Sequence, residues 1–202
     1  MLRQTRDEQI GGADIRRPNQ VGPVVIRSLA PLLDHFLEIV DHVAPPSVAH
    51  AHCDIPCGIY DPYIAQFAAL TVIRMVQLIE ALEMPSVGAG KHEWGTYVMQ
   101  LSRYTAVKEE HAKMCEHEIV VLWSDYFKPK HVEEHPHLHE IVWNATRLTS
   151  AVKQQINMEA AQQLLEACRQ IAEIFWDTRG VQTRRQPSNQ GQVGGELVYP
   201  AG

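Results

Sequence analysis

The chain has 202 residues, 45% of them apolar and 21% charged, which suits one soluble domain with appendages or at most two small ones. Its 18 Lys and Arg against 24 Asp and Glu give a net charge of −6, arguing against nucleic acid as a partner. No apolar run reaches the ~18 residues of a membrane span, and the four cysteines (Cys53, Cys57, Cys115, Cys168) are too sparse and uneven for a disulfide framework.

Residues 1–51 read as an attachment to the main domain. The first 22 carry Arg3, Arg6, Arg16 and Arg17 with Gly11 and Gly12 and almost no apolar pattern, which predicts disorder. One short helix is expected next, with Leu32, Leu33, Phe36, Leu37 and Val40 on one face, stopped by the prolines of "APPS". "AHA" at 49–51 has the small-x-small form of a signal-peptidase site, but Asp34, His35, Glu38 and Asp41 break the apolar region that an export signal needs. A cytoplasmic location is therefore expected over export.

Residues 62–180 read as helix after helix. Pro62 suits a first turn, and Ile64, Phe67, Thr71, Met75, Leu78 and Leu82 follow at three- and four-residue spacing up to the breaker "MPSVGAG". A second stripe runs through Tyr97, Leu101, Tyr104, Lys108, Ala112 and Cys115 and continues through Ile119, Leu122 and Tyr126 until "FKPKH". The third starts at Pro136 and presents Leu138, Ile141, Val142, Ala145, Leu148 and Val152. The fourth presents Ala161, Leu164, Leu165, Cys168, Ile171, Ala172 and Phe175, with Gly180 placed to end it. The expected fold class is all-α, an antiparallel four-helix bundle preceded by a short metal-binding hook loop. Residues 181–202, polar and rich in Gly, Gln and Pro, are expected to form a disordered tail.

The chemistry gathers in "HAHCDIPCGIY", residues 50–60, where His52, Cys53 and Cys57 enclose a turn containing Pro56 and Gly58. On spacing alone, three readings stand: a loop with two buried thiols, part of a zinc site, or something more specific. A structural zinc site wants a second Cys/His pair, and the nearest, His111 and Cys115, has the helical spacing of ordinary core-edge packing. Position adds a clue. If the chain is cut after Ala51, His52 gains a free α-amine beside its imidazole. That amine, the Cys53 amide nitrogen and the two sulfurs form an N₂S₂ set, with imidazole available axially, which suits nickel. A leader would keep the amine tied up until its removal.

These residues resemble the nickel-containing superoxide dismutases, whose mature N-terminus has the form His-Cys-Asp-x-Pro-Cys-Gly-x-Tyr-Asp-Pro; "HCDIPCGIYDP" at 52–62 fits every specified position. "LWSDYFKP" at 122–129 and "IFWDT" at 174–178 resemble two further blocks of that family. The resemblance implies one nickel ion per subunit held by His52, Cys53 and Cys57, with Pro56 setting the bend. It also implies superoxide as the substrate, alternation between Ni(II) and Ni(III), a homohexamer, and a peptidase that removes residues 1–51 from the mature 52–180 unit. Asp54 and Tyr60 correspond to residues that frame the substrate's approach; Tyr126 and Lys128 are candidates for the same neighbourhood, weighed against plain helix-end packing and a solvated charge. In the family a Glu and an Arg orient the axial imidazole, and the matching positions here are Ala68 and His111, so His111 is a candidate partner for His52. A nickel or zinc carrier using the same hook without redox catalysis is the alternative. In "KHVEEHPHLHE", at 130–140, His135 and His139 flank a helix start, which favours a solvated cap over a second metal site.

Overall fold

The computed structural model describes residues 58–201. The helix expected in the leader, His52, Cys53, Asp54 and Cys57 lie outside the described residues. Helices dominate the rest, with two short strands at the end.

Helix α1 (Tyr63–Glu80) begins where the Asp61 carboxylate accepts the Tyr63 N–H at 2.7 Å, satisfying one of the donors that a helix start leaves open. Sequence periodicity locates this helix but mistakes its face. Ile64 and Phe67 are exposed, while Ala65, Ala68, Ala69, Val72, Ile73 and Val76 are buried. The reason is steric: a buried face made mostly of small and β-branched side chains allows neighbouring elements to approach the helix closely. Among the described residues, α1 is the helix long and apolar enough to match a membrane span by length and composition, and half of the matching window is buried inside the fold.

Helix α2 (Lys91–Val121) starts at Gly90, whose N–H is taken by the Glu93 carboxylate at 3.1 Å. Its buried residues, Lys108, Ala112, Cys115 and Ile119, all lie in its second half and follow the expected stripe. Leu122–Tyr126 widen into a π turn, with the Phe127 N–H reaching back five residues to the Leu122 carbonyl. Pro129 then opens the short α3 (Pro129–Glu134) at a position where its missing N–H costs nothing. Helix α4 (Leu138–Gln154) buries Leu138, Val142, Ala145, Thr149 and Val152. Helix α5 (Met158–Asp177) is capped by Asn157, whose side-chain oxygen accepts the Ala160 N–H at 2.9 Å. Gly180 follows at φ +69°, the left-handed conformation that favours glycine after a helix end.

The four long helices pack in a ring, α1 against α2, α2 against α4, α4 against α5 and α5 against α1. Their buried faces form a shared core in which Cys115 and Cys168 meet at 3.5 Å as free thiols. Lys108, set in an apolar stripe, donates from Nζ to the carbonyls of Val152, Lys153 and Gln155. These are among the carbonyls that the end of α4 leaves open, so a cation here answers both unmet hydrogen bonds and the negative helix terminus. Burial pulls the Lys108 pKa down, against the pull of Glu109.

The expected disordered tail is instead an antiparallel hairpin of β1 (Thr183–Pro187) and β2 (Glu196–Pro200). Gln66 of α1, itself fully buried, donates to the Val198 carbonyl at 3.2 Å and accepts the Val198 N–H at 2.8 Å. Leu197 and Val198 are buried, the Arg169 Nε donates to the Glu196 carbonyl at 2.8 Å, and Arg185 pairs with both Glu166 and Glu173 of α5. Two apolar residues and a set of directional polar contacts replace the extended apolar pattern whose absence suggested disorder.

Candidate metal centre

The described part of the hook motif is its exit: Gly58 at φ +84°, then Ile59, Tyr60 and Asp61 leading into α1. Tyr60 packs its ring on Tyr126 with centroids 5.6 Å apart. The π turn positions Tyr126, because the extra residue in that turn rotates the helix end and the chain then leaves in extended form at Phe127. Tyr126 in turn packs against Phe127 at 5.2 Å, His131 at 5.7 Å and Phe175 at 4.5 Å. The end of the hook motif, the "WSDYF" block and the "IFWDT" block thus converge on one aromatic cluster.

The polar groups of this cluster have definite roles. The Thr178 hydroxyl donates to the Phe175 carbonyl at 2.8 Å, so its oxygen accepts the Tyr126 proton across 2.7 Å. The Arg179 Nε approaches the same phenol oxygen at 3.4 Å, and its guanidinium lies over the Phe175 ring at 4.5 Å and the Tyr126 ring at 5.3 Å. The Lys128 Nζ donates to the Asp125 carbonyl at 2.7 Å, which holds a second positive charge at the π turn. The His131 Nδ1 accepts the Lys128 N–H at 3.2 Å, and burial, aided by Lys130, pushes its pKa down.

Of the residues singled out from sequence, Tyr60, Tyr126 and Lys128 fall in or beside this cluster. His111 lies in the second half of α2, half-buried, with Nδ1 bonded to the Val107 carbonyl at 3.0 Å. Ala68 is fully buried and carries no polar group, so nothing at that position can orient an imidazole. The His135 Nε2 pairs with Asp177 at 3.2 Å, and the His139 ring packs on Trp123 at 5.5 Å. Among the described residues no group of three His, Cys, Asp or Glu side chains is placed to hold a metal. Sequence reasoning missed Arg179, Thr178 and His131. The Arg179 signal was present as the basic residue just before the helix-ending Gly180, a position where a side chain folds back over the last helical turn.

The donor set His52, Cys53 and Cys57 offers an imidazole and two thiolates, a borderline-to-soft combination compatible with nickel. The comparisons with known proteins point the same way. Residues 47–179 match the family model described as nickel-containing superoxide dismutase. The Superoxide dismutase [Ni] of Streptomyces coelicolor is 36% identical over 136 residues, covering 67% of this chain and 94% of that protein. That of Streptomyces seoulensis is 38% identical over the same length and shares. The native structure of nickel superoxide dismutase superposes with a TM-score of 0.54 at 35% identity, covering 63% of this chain and 99% of that one. Its apo structure gives 0.52 at 32% identity, with 61% and 99% covered.

Proposed function

This chain belongs to the nickel-containing superoxide dismutases, an enzyme family acting on superoxide with a nickel cofactor, and from that premise we propose how its own residues build the site. Cleavage between Ala51 and His52 frees the His52 amine. That amine, the Cys53 amide nitrogen, and the Cys53 and Cys57 sulfurs would hold the metal, and the His52 imidazole would be available as a further donor. Bound nickel supplies one-electron exchange between its divalent and trivalent states. The mature unit is an antiparallel four-helix bundle preceded by the hook, and it assembles as a homohexamer, as the family resemblance implies.

The other residues act on access and protons. Asp54 and Tyr60 hold the water that supplies protons for peroxide. Tyr126 gives its own proton to Thr178, so its ring serves as a fixed wall behind Tyr60. Arg179 and Lys128 provide a local positive field on a chain of net charge −6, which draws in an anionic substrate. His111, whose Nδ1 is engaged by the Val107 carbonyl, takes over through Nε2 the imidazole contact that the missing Arg would make.

The observation that carries this reading is the contact of Tyr60 with Tyr126, which ties the end of the hook motif to the other two family blocks. A nickel carrier would need none of the aromatic and cationic framing around it. The test compares superoxide decay by nickel-loaded chain beginning at His52 with the same chain retaining Ala51. Fast decay, toward the enzymatic ceiling of ~10⁸–10⁹ M⁻¹s⁻¹, is expected only in the first. Equal activity in both would overturn the role given to the His52 amine.

A further inference from the structure

In a mature chain beginning at His52, the hook has one covalent tether. Its histidine end is a free terminus, so the ligands are held to the protein through Gly58 and the five residues after it. Whatever fixes residues 60–63 therefore fixes the point from which the ligand-bearing segment departs. Two aromatic contacts do so. One is Tyr60 on Tyr126. The other comes from the C-terminal hairpin: the Tyr199 ring packs on Tyr63 with centroids 6.1 Å apart.

The hairpin is built to hold that ring still. Gln66, three residues after Tyr63 and on the same side of α1, bonds both backbone groups of Val198, the neighbour of Tyr199. Ala201 donates to the Gln182 carbonyl at 2.7 Å, closing the base of the hairpin. Gly195, at φ +80°, sits so close that an added Cβ would lie 3.2 Å from the Leu70 side chain. Arg185 fastens the other strand to Glu166 and Glu173. The hairpin itself lies beyond residue 179, where the match to the family model ends, so it is an addition to the matched unit.

We infer that the C-terminal hairpin is a clamp on the base of the nickel hook, with Tyr199 as its positioning residue acting through Tyr63. The inference rests on the reading that His52, Cys53 and Cys57 hold the nickel. With residues 60–63 held, the attachment point of the ligands is fixed relative to the bundle, so the clamp slows nickel loss and steadies the ligand geometry.

The test uses the mature, nickel-loaded protein and its Tyr199→Ala and Tyr199→Phe variants, with three readouts: nickel release to excess chelator, the electron paramagnetic resonance spectrum of the oxidised metal, and the Tm of the metal-free protein. Loss of one aromatic pair is expected to speed nickel release roughly threefold to tenfold and to alter the spectrum. The metal-free Tm should fall by no more than about 4 °C. Tyr199→Phe, which keeps the ring, should restore the parent's behaviour. Tyr199→Leu, which keeps apolar bulk without the ring, stands in if the alanine variant misfolds. Parent-like release and spectrum in the ringless variant would overturn the clamp. Unchanged nickel retention and spectrum in a Cys57→Ser chain would instead overturn the hook assignment, whatever Tyr199 does.

Discussion

Helix α5 and the C-terminal hairpin lie side by side and hold their places by opposite means. Helix α5 buries Leu164, Leu165, Cys168, Ile171, Ala172 and Phe175, a stripe at three- and four-residue spacing whose stabilisation comes from apolar area. The hairpin buries Leu197 and Val198 and otherwise depends on hydrogen bonds and ion pairs to residues far away in sequence. The contrast teaches that order at a chain end need not announce itself by hydrophobic pattern. A segment too polar to fold alone can still be ordered by a surface that already carries the matching polar groups.

The comparison breaks first at α5. Leu164→Ala removes a fully buried side chain from the shared core and should cost about 2–5 kcal/mol, read as a lowered denaturant midpoint for the whole protein. A loss below about 1 kcal/mol would mean that α5 is less central than its burial implies. Gln66→Leu comes next. It leaves the buried N–H and carbonyl of Val198 without partners and should cost about 1–3 kcal/mol, with faster amide exchange concentrated in residues 183–200. Uniform exchange across α5 and the hairpin alike would mean that the hairpin does not depend on this residue.

The smallest effect is expected at Arg185. Its pairs with Glu166 and Glu173 are partly exposed, so Arg185→Ala should cost no more than about 1 kcal/mol, and less in high salt. The pH dependence has a definite sign. Burial alone would raise the Glu166 pKa, but its hydrogen bonds from Arg185 and Arg169 outweigh that and hold the carboxyl below its ordinary range. A carboxylate with a depressed folded-state pKa contributes stability above its unfolded pKa, and this stability fades as pH falls through the folded value. The difference between parent and Arg185→Ala should therefore be present at neutral pH and shrink in acid. A difference that grew on acidification would show that the pairing is not electrostatic.

The proposed metal ligands could be named from sequence because their chemistry is local. The spacing of His52, Cys53 and Cys57, and the prolines and glycine that shape their loop, are properties of eleven consecutive residues. The "WSDYF" block could be recognised, but the π turn that aims Tyr126 could not, since one extra residue per turn leaves no periodic mark. Arg179 escaped notice because its role depends on the Tyr126 ring, which the π turn brings beside Phe175 and Trp176 at the end of α5.

By itself, then, the sequence determined where the four long helices run and which short loop carries the candidate metal-binding groups. Those features follow from near-neighbour spacing, caps and breakers, and need no knowledge of what lies opposite. Only the tertiary structure decided which face of α1 is inward, that Lys108 closes the end of α4, and that the final twenty or so residues form an ordered hairpin. Each of these depends on shape or hydrogen-bonding partners contributed by a distant segment: small side chains that admit a neighbour, open carbonyls that need a donor, and a buried glutamine that needs a strand.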